Sequence, residues 1–197
     1  MRSVAPALMP IFRSRHQAEL LTLLLLHPDQ DYSVTEIAQR INVPLTTLHR
    51  EIDRLEAAGL IQSRAVGRSR LLRANTTSRV VPALTDLLLA TFGPLPVVAE
   101  EFAGLRAIKI ALFGSWAARY RGEPGPAPND VDVLLIGEVD REDAFEAARR
   151  AEDRLGFPVN PTLVTASRWD SGDDPLTRTI RSSALVDAFS AALDRAR

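Results

Sequence analysis

Two short stretches of this chain carry residues that could bind the phosphates of a nucleotide through a divalent cation. An apolar run at 112–113 enters Gly114-Ser115, and Asp130 and Asp132 open a second apolar run that continues to residue 136. Side chains at positions i and i+2 of a β-strand lie on the same face. Two carboxylates on one face supply the oxygen ligands that Mg²⁺ prefers.

Alternating strands and helices are expected to position these groups. The apolar pattern predicts strands at 108–113, 131–136 and 159–164, a short helix after Ser115, and longer helices at about 141–155 and from about 175 to the end. On the short helix, Arg119 would follow Ser115 by one turn on the same face. This half of the chain is therefore predicted to be a mixed sheet with flanking helices, in an α+β protein.

The N-terminal half predicts three helices followed by a β-hairpin. Ser33 and Glu36 have the spacing of a capping box at the start of the second helix. Gly59 would end the third helix as a left-handed cap, and Gly67 would turn between extended runs at 61–66 and 70–75. This order is typical of a winged helix-turn-helix, which places its third helix in the major groove of DNA.

The predicted DNA contacts lie on the third helix and on the hairpin. The helix would present short polar side chains and one arginine to base edges: Thr46, Thr47, His49 and Arg50. The hairpin would place arginines against phosphates, where they position the protein without reading sequence: Arg64, Arg68 and Arg70. Net charge is −1, so attraction to DNA has to come from local clusters such as 60–80, which holds five Arg and no acid.

These patterns predict a winged helix-turn-helix domain at 13–78, a helical linker at 79–105 and a C-terminal domain at 106–197. Ser78 could cap the first helix of the linker, and Gly93-Pro94 would separate it from a second helix that runs to about 105. The apolar side chains of the linker could join two copies in a homodimer or could pack on their own chain.

Residues 35–75 resemble the winged-helix domains of ArsR/MarR-type bacterial regulators. The resemblance is carried by Leu-Glu-Ala-Ala-Gly-Leu-Ile at 55–61 and by Val-Gly-Arg-Ser-Arg at 66–70. It implies a transcriptional regulator that binds double-stranded DNA, usually as a dimer reading two half-sites.

Gly114-Ser115 together with Asp130 and Asp132 resembles the minimal nucleotidyltransferases of the DNA polymerase beta superfamily. This resemblance implies that Gly114, Ser115 and Arg119 hold a nucleoside triphosphate and that Asp130 and Asp132 are catalytic ligands of Mg²⁺. Active members normally carry a third carboxylate on a neighbouring strand. Here the corresponding strand offers Asn160 or Thr162 instead, and neither is an effective base.

The favoured interpretation is a regulator whose nucleotidyltransferase-like domain senses a nucleotide or is degenerate. The alternative is an active, antitoxin-like nucleotidyltransferase that its winged helix targets to a protein, RNA or small acceptor. A third interpretation is an inactive scaffold for protein contacts. The 197 residues contain no Cys, begin without a long apolar signal region, and show no apolar run of membrane-spanning length, so we expect a cytoplasmic protein that binds no membrane.

Overall fold

The computed structural model describes residues 12–125 and 127–188. Contacts within the chain divide it into two compact units, with the division between Gly93 and Pro94. This division falls inside the segment that the sequence assigned to a linker. The mixed α+β class holds, with a winged helix in the first unit and a mixed sheet in the second.

Over residues 12–93, the first unit consists of four helices and a small antiparallel sheet in which β3 is central, in the order β1-β3-β2. Its elements are α1 (Arg15–Leu26), β1 (Tyr32–Ser33), α2 (Val34–Arg40), α3 (Leu45–Ala57), β2 (Ile61–Val66), β3 (Ser69–Ala74) and α4 (Val81–Phe92). The helix-turn-helix and the hairpin predicted from the sequence are therefore both present.

Local sequence signals explain where these helices begin and end. The Ser33 hydroxyl accepts a hydrogen bond from the Glu36 amide over 3.1 Å and so caps α2. Gly59 has a φ of +67° directly after α3, a conformation that favours glycine. Helix α1 contributes Leu20 and Leu24 to the core that these four helices share with the sheet. The buried face of α3 packs in the same core.

Helix α4 packs against α1 and buries Leu88 in the same core. The apolar linker helix thus packs on its own chain, which was one of the two alternatives for it. The prediction that Ser78 caps this helix is wrong. Its N-cap is Val80, which offers no side-chain hydrogen bond, and Pro82 in the first turn has no amide N–H to satisfy.

The second unit is a four-stranded sheet in the order β6-β5-β4-β7 with helices around it. Its elements are α5 (Pro94–Glu101), β4 (Ala107–Phe113), α6 (Gly114–Tyr120), β5 (Val131–Gly137), α7 (Arg141–Leu155), β6 (Val159–Val164), α8 (Ala166–Ser171), α9 (Pro175–Ser182) and β7 (Leu185–Asp187). Strand β4 is antiparallel to both β5 and β7, whereas β5 and β6 are parallel and connected through α7.

The chain after residue 182 differs from the prediction of one helix from 175 to the end. Helix α9 stops at Ser182, because Ser183 is extended with a ψ of 170°. Leu185–Asp187 then forms β7, which pairs with β4 at the edge of the sheet. The remainder of the predicted helix, from residue 189, lies outside the described residues. The second linker helix also ends earlier than predicted, at Glu101.

Alternation along β5 determines which face of the sheet carries the carboxylate. Asp132, Leu134 and Ile136 share one face, and Leu134 and Ile136 pack there with Val164 and Ile180. Asp132 therefore stands at the end of a buried apolar row, close to the turn that follows β4.

One stretch, Val81–Glu101, is long and apolar enough to cross a membrane by length and composition alone. Its most apolar part is 56% buried, and core helices of soluble proteins often meet the same criterion. It comprises α4 and α5, which are separated at Gly93.

Candidate functional site

Helix α3 has one buried face and one exposed polar face. Leu48, Ile52 and Leu55 are each at most 3% exposed and belong to the core of the first unit. The opposite face is open to solvent along the first two turns and carries the four residues predicted to contact bases. These residues, all exposed, are Thr46, Thr47, His49 and Arg50.

The hairpin of β2 and β3 forms the wing, and its tip is the Gly67-Arg68 turn. Gly67 has a φ of +59° and has open space around it, so only backbone geometry demands glycine there. The Arg68 side chain is exposed, and among the described residues it has no ion-pair partner. Arg68 is therefore available to a phosphate.

The other two predicted wing contacts are engaged in ion pairs within the first unit. Arg64 donates to Asp31 over 2.7 Å, and this hydrogen bond lowers the pKa of the Asp31 carboxyl. Arg70 donates to Asp53 over 3.2 Å and also pairs with Glu56, both on α3. The sequence did not reveal these pairs, because each joins residues that are far apart along the chain.

The structure brings the Gly114-Ser115 turn next to Asp132. Phe113 pairs with Asp132 across the antiparallel β4 and β5, so the turn begins beside that carboxylate. A Cβ atom on Gly114 would lie 2.8 Å from Oδ2 of Asp132, and Gly114 has a φ of +69°. Gly114 is thus required both by its backbone conformation and by the space that the carboxylate occupies.

Asn160 contacts both carboxylates from the neighbouring parallel strand. It is the register partner of Asp132, and its Nδ2 donates to Oδ2 of Asp130 over 2.9 Å. Burial and the charge of Asp130 raise the pKa of Asp132, and a hydrogen bond from Asn160 opposes that rise. Thr162 pairs instead with Leu134, two residues farther along the strand. Asn160 is therefore the residue beside the carboxylate pair.

The two other predicted phosphate ligands lie on α6. Ser115 is exposed in the first turn of this helix. The guanidinium of Arg119 lies over the indole ring of Trp116, 5.4 Å from its centre. Trp116 itself is 1% exposed and packs edge-on against Phe157, so it belongs to the core rather than to a base-stacking surface.

The residues present do not fit a catalytic magnesium centre. Within 12–125 and 127–188, no group of three or more His, Asp or Glu side chains is arranged to hold a metal ion. The third group beside Asp130 and Asp132 is the neutral amide of Asn160, which donates a hydrogen bond toward an oxygen that a cation would need.

Comparison with known proteins agrees with the fold of the first unit. Residues 17–62 match a family model described as winged helix-turn-helix DNA-binding. A search of curated proteins finds no match.

The solved structures that resemble part of the chain include the following three. Reduced HlyU from Vibrio cholerae has a TM-score of 0.35 and 23% identity over 42% of this chain and 81% of its own. AF1382 from Archaeoglobus fulgidus has a TM-score of 0.35 and 16% identity over 41% of this chain and 91% of its own. The heme sensor protein PefR from Streptococcus agalactiae, in complex with heme, has a TM-score of 0.33 and 18% identity over 46% of this chain and 60% of its own.

The order of helices and strands in the first unit and the two faces of α3 both agree with the family model. Residues 17–62 belong to a winged helix-turn-helix DNA-binding domain.

Proposed function

We propose that this protein is a transcriptional regulator that binds double-stranded DNA through α3 and the wing. The observation that carries the proposal is the division of α3 into a core face with Leu48, Ile52 and Leu55 and an exposed polar face. A helix inserted in the major groove needs such a division, because its polar side chains must reach base edges while the core holds it in place.

Different residues of this surface have different roles in the proposal. Thr46, Thr47 and His49 face base edges, and Arg50 is suited to the O6 and N7 acceptors of guanine. Arg68 contacts a phosphate and contributes to affinity without reading sequence. Arg64 is paired with Asp31 in a solvent-screened ion pair, a kind of pair that contributes little to stability, so a phosphate could replace the carboxylate at small cost.

We further propose that the protein acts as a homodimer in the cytoplasm, because a two-fold symmetric regulator reads two half-sites and because its DNA target lies there. One face of α4 packs on α1, so this helix does not by itself specify the dimer contact. Sedimentation of the full chain with and without DNA tests the stoichiometry.

For the second unit we propose nucleotide binding without transfer. The supporting observation is the close approach of the Asp132 carboxylate to Gly114, at the start of the Gly-Ser turn. Gly114, Ser115 and Arg119 would contact the phosphates of a nucleoside triphosphate. Asp130 and Asp132 do not form a metal centre by themselves, and they would bind the Mg²⁺ that the triphosphate carries only because the phosphate oxygens complete its ligand set. Because Asn160 stands where a third carboxylate would be needed, we propose that this unit senses the nucleotide rather than transferring it.

The DNA proposal is tested by selecting bound duplexes from a random-sequence pool and measuring their affinity. Arg50→Ala combined with Arg68→Ala should weaken binding, and affinity of the unmodified protein should fall steeply with salt. Arg15→Ala, an exposed cation on α1, is the matched control. Equal affinity of the double variant and the unmodified protein would refute the assignment of these contacts.

The nucleotide proposal is tested by calorimetry with each of the four nucleoside triphosphates and Mg²⁺. Asp130→Ala combined with Asp132→Ala should abolish the binding heat. Incubation with labelled triphosphate distinguishes the alternatives, since label transferred to a protein, RNA or small acceptor would favour the active, antitoxin-like nucleotidyltransferase. Absence of binding heat for all four would leave an inactive scaffold as the explanation of this unit.

A further inference from the structure

We propose that Arg70 is a positioning residue that fastens the wing to the recognition helix and does not contact phosphate. This proposal rests on the proposed DNA binding and assigns a separate role to one residue of that surface. It departs from the expectation, drawn from the sequence, that all three wing arginines contact DNA.

Three nitrogen atoms of the Arg70 guanidinium are occupied within the first unit. Its Nε donates to the hydroxyl of Ser63 over 3.2 Å, on the partner strand of the hairpin. Its Nη1 and Nη2 donate to Oδ1 of Asp53 over 3.2 and 3.3 Å, and Nη2 also pairs with Glu56. One side chain thus joins β2, β3 and α3, and the planar fork of arginine is suited to holding several acceptors at once.

The charges around Arg70 also disfavour a phosphate at this position. Arg70 faces two carboxylates, Asp53 and Glu56, so the three side chains together carry one net negative charge. A DNA phosphate that approached Arg70 would also approach both acids. Arg68, at the tip of the wing, is exposed and forms no ion pair with the residues that the structure describes.

Burial distinguishes this cluster from an ordinary surface pair. The side chains of Arg70 and Glu56 are only 33% and 26% exposed, whereas that of Asp53 is 66% exposed. Partly buried pairs are less screened by salt than exposed ones. The contact between Arg70 and Glu56 is therefore expected to persist at the salt concentrations at which DNA binds.

The DNA part of the test uses a random-sequence duplex long enough for two half-sites and a salt titration of affinity. Lysine retains the charge that a phosphate needs but lacks the fork that the cluster needs. We expect Arg70→Lys to lower affinity several-fold at every salt concentration with an unchanged salt slope, whereas Arg68→Ala reduces the slope by about one. Asp53→Asn combined with Glu56→Gln should release Arg70 and increase the slope by about one.

The stability part of the test does not require DNA. Thermal unfolding of Arg70→Lys, Glu56→Gln and their combination should give non-additive shifts in Tm, because each change disrupts the same contact. Glu19→Gln, which removes the exposed pair with Arg15 on α1, is the matched control and should give additive shifts with Arg70→Lys.

The possible results separate the two proposals. Additive Tm shifts, or unchanged affinity of Arg70→Lys for the duplex, would overturn the positioning role. A failure of the unmodified protein to bind any duplex would refute the proposed DNA binding, and the unfolding measurements would then decide the role of Arg70 alone.

Discussion

Nδ2 of Asn160 donates a hydrogen bond to Oδ2 of Asp130 over 2.9 Å, at the point where β5 and β6 begin side by side. The amide supplies a donor to a pair of acids that would otherwise repel each other without compensation. The arrangement therefore carries one negative charge fewer than a site built of three carboxylates.

Replacing this amide by a third acid should make stability depend on magnesium. We expect Asn160→Asp to lower Tm in the presence of a chelator, since a donor is replaced by a like charge, and to recover it when Mg²⁺ is added. Asn160→Ala, which removes the donor without adding charge, is the control and should show little response to Mg²⁺. Identical Tm values of Asn160→Asp with chelator and with Mg²⁺ would contradict the prediction.

Asp132→Asn should stabilise the protein at neutral pH. Burial and the charge of Asp130 raise the pKa of Asp132 in the folded state above its unfolded value, so ionisation of this group opposes folding. The stability that the protonated Asp132 carboxyl contributes is present at low pH. It is lost as the pH rises from the pKa of this group in the unfolded chain through its raised pKa in the folded protein. The Tm advantage of Asp132→Asn should therefore be present above this range and absent below it, as a pH series of thermal unfolding would reveal.

The matched control for this change is Asp153→Asn, which neutralises an exposed acid on α7. It should show no comparable advantage over the same pH series. A Tm advantage of Asp132→Asn that persisted unchanged at low pH would point to packing rather than to the charge.

Gly114→Ala should cost more stability than Gly122→Ala. Both residues have positive φ, +69° and +75°, and an alanine in that conformation costs about 1–2 kcal/mol. Only at Gly114 would the new Cβ also approach Asp132, whereas Gly122 has open space around it. Urea unfolding of both variants measures how much more stability Gly114→Ala loses than Gly122→Ala. Adding Asp132→Ala to Gly114→Ala should remove this difference.

The two faces of α3 should separate stability from DNA binding. Leu48 is 1% exposed, and Leu48→Ala should lower the free energy of unfolding by about 2–5 kcal/mol through loss of burial and the resulting cavity. Thr46→Ala should leave unfolding nearly unchanged and weaken binding to the selected duplex. Comparable destabilisation by both changes, measured by urea unfolding, would show that α3 has no separate contact face.

Local signals were sufficient to predict most of the first unit. The cap at Ser33, the left-handed Gly59 and the turn at Gly67 each depend on residues within a few positions of one another. Ser78 misled the prediction, because Val80 rather than a side-chain cap begins α4.

Elements that depend on distant partners were missed. Strand β1 has two residues and is extended because it pairs with Leu71 and Leu72 of β3. Strand β7 likewise depends on β4, and its apolar residues could equally have continued a helix.

The same limitation applied to the site. The sequence predicted that Asp132 lies close to Gly114, as the structure has it, but the choice between Asn160 and Thr162 depends on the register of β5 against β6. The partners of Arg64 and Arg70 lie on other elements, so spacing along the chain could not identify them.

The pairing of Leu185–Asp187 with Ala111–Phe113 has a practical consequence for anyone who shortens this chain. A truncated version that stopped before Leu185 would leave without partners those backbone N–H and C=O groups of Ala111–Phe113 that face β7, directly before Gly114. Such open strand edges recruit other molecules and promote aggregation. Expression of the second unit by itself should therefore retain the chain through at least Asp187, or poor solubility could be mistaken for a lack of ligand binding.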